Sequence, residues 1–442
     1  MSQDILRTPL TSNVMPKEVF HTASLVFFIV YALIIFRNLK RTNLPVWVIM
    51  FAGAVSLLFL NGIALRDAYS AVNIDVIFFL IGMFSIVSAL EASGLLKYLT
   101  LRILSFADSP DRVLFFTIIV LGTMSAFLMN DTIAIAATPI IISIAREVKI
   151  KPTPFLITLA FAVSIGSTMT PMGNPQNLLI ALDSGIEAPL LTFLKFLGPP
   201  TVINCFVTYY LLKFYYRKDL ARGAQPHNLA WEDAVTDMHL AKISGIIAVL
   251  TIAGFFALNI LKVVGYETEL NFGTVALLGA AALFSVSSRR REIIRGVNWS
   301  IIIFFISMFI VMQAVWNNGL IKLFTLLLPP ITHTDSSLTI LNIVVASVVL
   351  SQFMSNVPFV AVYTHVMKSV GFNSLDVEAW MALAGGSTLA GNLTILGAAS
   401  TIIILEASEE EDYTFSFSEY FKIGSLVTAA NVAILVLWLF FV

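Results

Sequence analysis

Long apolar stretches, most near twenty residues, alternate with short polar connections along almost the whole chain. That length matches the ~20 residues an α-helix needs to cross a hydrocarbon core of about 30 Å. Spans are predicted near 19–36, 44–64, 73–96, 155–182 and 198–216. A segment rich in Lys, Arg, Asp and Glu follows at 217–241, and then spans near 242–261, 271–287, 298–321, 379–405 and 421–442. Two further apolar segments, 113–145 and 337–370, do not read as single spans. The first, as one helix, would be roughly 50 Å long at ~1.5 Å per residue, and it carries Asn130-Asp131-Thr132 at its middle. Folded there, it becomes two arms, each too short to cross. Its ends, ADSPDR and REVKIK, are both polar. A re-entrant hairpin with the triplet at its tip satisfies both facts. The second segment has the same plan, with Ser355-Asn356-Val357-Pro358 at its tip.

The pattern repeats. VNIDVIFFLIGMFSIVSALEASGLLK (72–97) lies over VNWSIIIFFISMFIVMQAVWNNGLIK (297–322) at an offset of 225, with eleven of 26 positions identical, among them Asn73/Asn298, Gly94/Gly319 and Lys97/Lys322. The same offset places LMNDTI (128–133) over FMSNVP (353–358), and so Asn356 over Asp131, and Gly166 over Gly391. Loop charge orients the halves, because basic residues favour the cytoplasmic side. The loop with Arg37, Lys40 and Arg41 has as its equivalent a loop that holds Lys262, Glu267 and Glu269. The near-neutral loop at Arg66 and Asp67 corresponds to Arg289, Arg290, Arg291 and Arg295. Five crossings per half, with the second half upside down, bring the positive loops to one side and put both termini outside. Inverted repeats of this kind are common in secondary transporters, although channels also carry them.

The predicted fold is therefore an all-α polytopic membrane protein of two inverted repeats. Each has five spans, one of them discontinuous, and one re-entrant hairpin. The expected parts are an N-terminal segment 1–18, a first repeat 19–218 (hairpin 113–145, broken helix 155–182), a cytoplasmic linker 219–241 and a second repeat 242–442 (hairpin 337–370, broken helix 379–405). Composition agrees: 58% of the 442 residues are hydrophobic and 12% charged, about half the charge of a soluble protein, and mean hydropathy is +0.90. A soluble enzyme is excluded. A net charge of −1 gives no basic balance for nucleic acid, and the single cysteine, Cys205, excludes an intramolecular disulfide or a cage of several thiolates. The N-terminus lacks the features of a cleaved signal peptide, so the first span is expected to be retained.

The broken spans carry the candidate chemistry. SIGSTMTPMGNPQN interrupts 161–182, and its two prolines, two glycines and two asparagines cannot continue a helix cleanly. Unwinding is expected at 167–177, with Pro175 opening the second half-helix. The equivalent LAGGSTLAGNLTILGAASTIIIL (383–405) is Gly-rich. Paired interruptions in corresponding spans are the best sequence pointer to a transporter's binding site; small residues for close helix packing are the alternative. An aspartate at mid-bilayer costs ~2.5–3.5 kcal/mol, so Asp131 is a functional candidate. The tips and interruptions contain no Lys, Arg or His. Their hydroxyls, amides and one carboxylate suit a neutral hydroxy acid or a cation.

MNDTIAIAATPI, GNPQNLLIAL, SNVPFVAVY and GNLTILGAASTIIILEA resemble the ion-transporter superfamily over nearly the whole chain. Within it they resemble most the arsenical-pump membrane protein (ArsB)-like permease branch, related to NhaD-type sodium/proton antiporters and sodium/carboxylate carriers. The resemblance implies a scaffold and a moving transport part, a homodimer, elevator-type movement in the inner (plasma) membrane, and no cofactor. It implies substrate contacts from Asn130, Asp131, Thr132, Ser355 and Asn356 at the tips, Gly173, Asn174 and Asn177 in the first break, and Gly391, Asn392, Thr394 and Gly397 in the second. A cation is a candidate near Asn130, Thr132, Asn174, Asn356 and Asn392. Carboxylate carriers have Ser-Asn-Thr at each tip, whereas here the tips read Asn-Asp-Thr and Ser-Asn-Val; many permease relatives have Asn where this chain has Thr401. Both departures point away from sodium-coupled carboxylate transport. The leading expectation is proton-coupled efflux of arsenite or antimonite with Asp131 as the proton carrier. A sodium-coupled anion symporter, a Na⁺/H⁺ antiporter, a channel and the membrane subunit of an ATP-driven pump are the alternatives. No Walker-type motif occurs, so any ATPase would be a separate cytosolic subunit.

Overall fold

A computed structural model describes residues 17–40, 44–224, 231–266, 268–320, 331 and 336–442. Residues 1–16 of the expected N-terminal segment, Arg41, part of the linker, Glu267 and Lys322 lie outside the described residues. Among the described residues all regular structure is helical. Seven helices among the described residues are long and apolar enough to cross a membrane. Helix Met238–Val263 has among the highest hydropathies of these and is the least buried, as a lipid-facing helix requires.

Helix boundaries recur at close to the 225-residue displacement. Ile74–Ala92 corresponds to Trp299–Asn317, Pro110–Leu128 to Ser336–Met354, and Asn130–Glu147 to Asn356–Ser369. Thr153–Ser167 corresponds to Val377–Ala390, Pro175–Asp183 to Ala399–Glu409, and Pro189–Tyr215 to Phe417–Phe441. The chain forms two compact units that cut across these halves: Met1–Asn73 with Ile303–Leu326, and Ile74–Ile302 with Leu327–Val442. Within the smaller unit, Gln313 Nε2 donates to Asn317 Oδ1 (2.7 Å), and Asn317 Nδ2 donates to Asp67 (3.1 Å). Within the larger unit, Ile74–Ala92 packs along Phe272–Val286.

Three boundaries differ from expectation. The entry arms of the two hairpins are 19 residues each, about 28 Å at ~1.5 Å per residue, so they are not too short to cross. A π-helical turn at Thr117–Leu121 interrupts the first. What makes the first segment a hairpin is its return: Pro110, in the entry arm's first turn, and Ile150, after the exit arm, both lie against Gly223. The span expected near 198–216 begins at Pro189, with Pro199 and Pro200 inside the helix. A proline removes one intrahelical bond, and packing against Phe417–Phe441 and Thr153–Ser167 supports the helix through that defect. The linker ends at Asp237, which caps helix Met238–Val263 by accepting from Leu240 N–H (2.9 Å). The linker is clasped to the end of Ile74–Ala92, where the Ala92 carbonyl accepts from Thr236 Oγ1 and Arg289, both at 3.2 Å. Arg289 also pairs with Asp237 (3.4 Å).

Candidate functional site

All four interrupted elements belong to the larger unit. The first tip turns at Met129 (φ +68°, ψ 129°), and helix resumes at Asn130. The second turns at Ser355 (φ +67°, ψ 158°), and helix resumes at Asn356. A positive φ is uncommon for residues with a Cβ and concentrates at functional sites. The two turning residues are equivalent, 226 apart, and the first intrahelical bonds agree: Ile133 N donates to Met129 O and Phe359 N to Ser355 O, both 3.2 Å. The tips are therefore in register one residue later than the 225 offset suggests. Asn130 matches Asn356, and Asp131 matches Val357 rather than Asn356. The carboxylate has no polar counterpart at all.

The first break runs from Thr168 to Asn174, between Thr153–Ser167 and Pro175–Asp183. Its polar groups are consumed by the protein. Asn174 caps the half-helix, its Oδ1 accepting from Asn177 N–H (2.9 Å). Asn174 Nδ2 faces Ser167 Oγ (3.1 Å) and Thr388 Oγ1 (3.2 Å). Asn177 Nδ2 lies 3.2 Å from the carbonyls of Ser167, Thr168 and Thr170, and Asn177 Oδ1 accepts from Thr388 (3.1 Å). The carbonyls freed where the helix ends are the groups that need donors, and Asn177 supplies them. The first tip docks here: Asn130 N–H donates to Gly173 O (2.8 Å), and Thr170 Oγ1 donates to Ala126 O. Gly173 runs so close to Ser167 that a Cβ would lie 2.3 Å from its carbonyl oxygen. Below the tip the entry arm meets Thr153–Ser167 at Gly122 and Gly166, where a Cβ on Gly166 would lie 2.0 Å from Gly122 O.

The second break, Gly391 to Ala398, is held differently. Gln352, from the second entry arm, donates to Ala390 O (2.9 Å) and accepts from Thr394 Oγ1 (2.8 Å). Tyr420 OH donates to Gly391 O (3.3 Å) and meets Thr401 Oγ1 (3.3 Å). Gly397 packs on Ala390 O and Gln352. Several polar atoms here are buried with no hydrogen-bond partner among the described residues: both amide atoms of Asn392, Asn356 Oδ1, Ser400 Oγ and Ser351 Oγ. Asn392, Ser400 and Ser351 are wholly buried and Asn356 is 5% exposed. The second tip lies against this break, with Asn356 Nδ2 3.4 Å from where a Cβ on Gly391 would sit. Orphaned buried groups cost ~1–3 kcal/mol each and are rare enough to need a reason, such as a ligand.

The predicted site residues thus separate. Gly173, Asn174, Asn177, Thr394 and Gly397 are engaged in holding the breaks. Asn356 and Asn392 keep unpaired polar atoms beside Gly391. Asn130 docks through its backbone, and Thr132 and Ser355 are half-buried at the tips. Asp131 is 5% exposed, and no donor among the described residues reaches its carboxylate. Sequence reasoning missed Gln352, Ser351 and Thr388. Their only signal was polarity within apolar helices, Gln352 three residues before the tip.

Two breaks facing two hairpin tips, in a chain of many apolar helices, define a membrane transporter. A solved structure of the same fold, the YdaH transporter of Alcanivorax borkumensis, superposes with a TM-score of 0.56 at 13% identity, covering 95% of this chain and 97% of that one. The chain belongs to the CitMHS citrate-transporter family, whose model matches residues 31–386, and it is a secondary transporter of the ion-transporter superfamily. Relatives include a "46 kDa membrane protein" of Mycobacterium leprae, 27% identical and covering 94% of this chain and 97% of that one. The silicon efflux transporter LSI3 of rice (Oryza sativa subsp. japonica) is 25% identical (95% and 97%). The arsenical pump membrane protein of Escherichia coli is 24% identical (77% and 80%).

Proposed function

We propose that this protein exports a small neutral hydroxy acid, arsenite or antimonite foremost, in exchange for protons. The observation that carries this reading is the orphaned set at the second break. Asn392, Asn356, Ser400 and Ser351 offer amide and hydroxyl groups with no cation among them, a donor set for an uncharged polyhydroxy solute. A carboxylate substrate would need positive charge there. The silicon and arsenical relatives support the class, since silicic acid and arsenite are both neutral hydroxy acids near neutral pH. Asp131, buried and without a donor among the described residues, is the proton carrier: neutral in one state and ionised in another. Movement is elevator-type, in a homodimer of the plasma membrane with both termini outside and the second half inverted. Because the family is described as citrate transporters, a sodium-coupled anion symporter, with Na⁺ near Asn356 and Asn392, is the second reading.

The test is proton flux in proteoliposomes holding a pH-sensitive dye. An arsenite gradient should drive proton movement the opposite way, and Asp131→Asn should abolish it. Arsenite-driven proton flux that persists in Asp131→Asn removes the mechanism.

A further inference from the structure

The exit arm of the second hairpin, Asn356–Ser369, packs against the half-helix Pro175–Asp183. Two turns beyond Asn356, on the same side of the helix, come Tyr363 and Thr364. Both are buried, and neither Tyr363 OH nor Thr364 Oγ1 has a hydrogen-bond partner among the described residues. One turn further on, Lys368 pairs with Asp183 at 3.4 Å, with 38% and 22% of the side chains exposed. On the facing half-helix, Gln176 and Asp183 are seven residues apart and so share a side; Gln176 is buried beside Thr388 (3.5 Å). Polar groups thus run from the orphaned Asn356 to an ion pair at the protein surface.

The first hairpin has no such line. At the matching positions it carries Ala137, Thr138 and Ile142. Thr138 Oγ1 is satisfied within its own helix, donating to Ala134 O (2.7 Å). Packing alone would favour apolar residues at Tyr363 and Thr364, as at Ala137, because an unpartnered buried hydroxyl is costly. A run of such groups between a polar site and a surface ion pair is the lining of a water-filled path.

We infer that the contact between Asn356–Ser369 and Pro175–Asp183 is a hydrated lane by which a small hydrophilic solute or ion reaches the second tip, with the Asp183–Lys368 pair as its mouth. The inference rests on the second tip being the binding site, as argued above. It makes access one-sided in this conformation, since the first hairpin offers no equivalent route.

The test is thiol accessibility in the full-length protein with Cys205→Ser as background. Single cysteines are placed at Thr364, Tyr363, Lys368 and Thr138, and the membrane-impermeant quaternary reagent 2-(trimethylammonium)ethyl methanethiosulfonate is added to right-side-out or everted vesicles. Thr364→Cys and Tyr363→Cys should lose their free thiol from the same single face as Lys368→Cys, while Thr138→Cys stays unmodified. If either of the two buried variants does not accumulate in the membrane, the other carries the test. Thiols at 363 and 364 that stay intact from both faces, while Lys368→Cys reacts, overturn the lane. Labelling and transport fail separately. Labelling without arsenite movement removes the functional reading and keeps the lane; arsenite movement with unreactive thiols removes the lane alone.

Discussion

Asn177→Ala and Asn392→Ala remove the same chemical group from two corresponding broken helices, and the structure predicts opposite consequences. Asn177 has two amide hydrogens shared among three buried carbonyls, and its oxygen accepts from Thr388. Truncation leaves two donors' worth of carbonyl and one hydroxyl unsatisfied. At ~1–1.5 kcal/mol for each of the three, the loss is about 3–4.5 kcal/mol. Asn392 makes no side-chain hydrogen bond, so truncating it removes a desolvated amide and leaves stability unchanged or raised by ~1 kcal/mol. The assay is thermal unfolding of detergent-purified protein beside transport at a temperature where both variants are folded. Asn177→Ala should lower the midpoint by about 3–5 °C, and Asn392→Ala should hold the midpoint and lose transport. If Asn392→Ala unfolds early and Asn177→Ala keeps its midpoint, the assignment of roles to the two breaks is wrong.

Other expectations follow from single positions. Gly166→Ala pushes a methyl into the Gly122 backbone and should cost ~1–3 kcal/mol or more, read as a lower yield of monodisperse protein. Ser355→Gly relaxes the positive φ at the second tip while Ser355→Val aggravates it, so the two should differ by ~1–3 kcal/mol in unfolding free energy. The linker clasp should be acid-sensitive. Leu240 N–H, and then Arg289, hold the Asp237 carboxyl below its ordinary value. Its contribution is therefore present above the ordinary carboxylate range and lost as pH falls through the lowered value. Proteolysis of the linker should accelerate on acidification in the wild type and be fast at all pH values in Asp237→Ala; an acid-independent wild type would count against the clasp.

Much of this architecture was legible because membrane helices write their length and their defects into sequence. Pro175 and the Asn/Gly-rich run before it located the first break, and the 225-residue displacement anticipated matching helices. The tips were legible only to within a residue. The turning residue is Met129 in one hairpin and Ser355 in the other, and nothing in a methionine announces a positive φ. The helix begins at Pro189 rather than near 198, and tertiary packing carries it through Pro199 and Pro200. The asymmetry between the breaks was not legible. Asn177 and Asn392 have the same chemistry, and only their neighbours decide that the first fastens carbonyls and the second does not. Thr388, which completes the first break from the other half of the chain, is separated from Asn177 by 211 residues.

Uptake into everted vesicles under an imposed pH gradient tests the proposed export most directly, comparing arsenite and antimonite with citrate, sulfate, succinate and Na⁺. Accumulation of arsenite or antimonite that depends on the gradient and disappears in Asp131→Asn and Asn392→Ala is the predicted result. Arsenite and antimonite left inert, beside citrate or another anion moving with Na⁺, would contradict the account and assign the orphaned groups to a coupling cation.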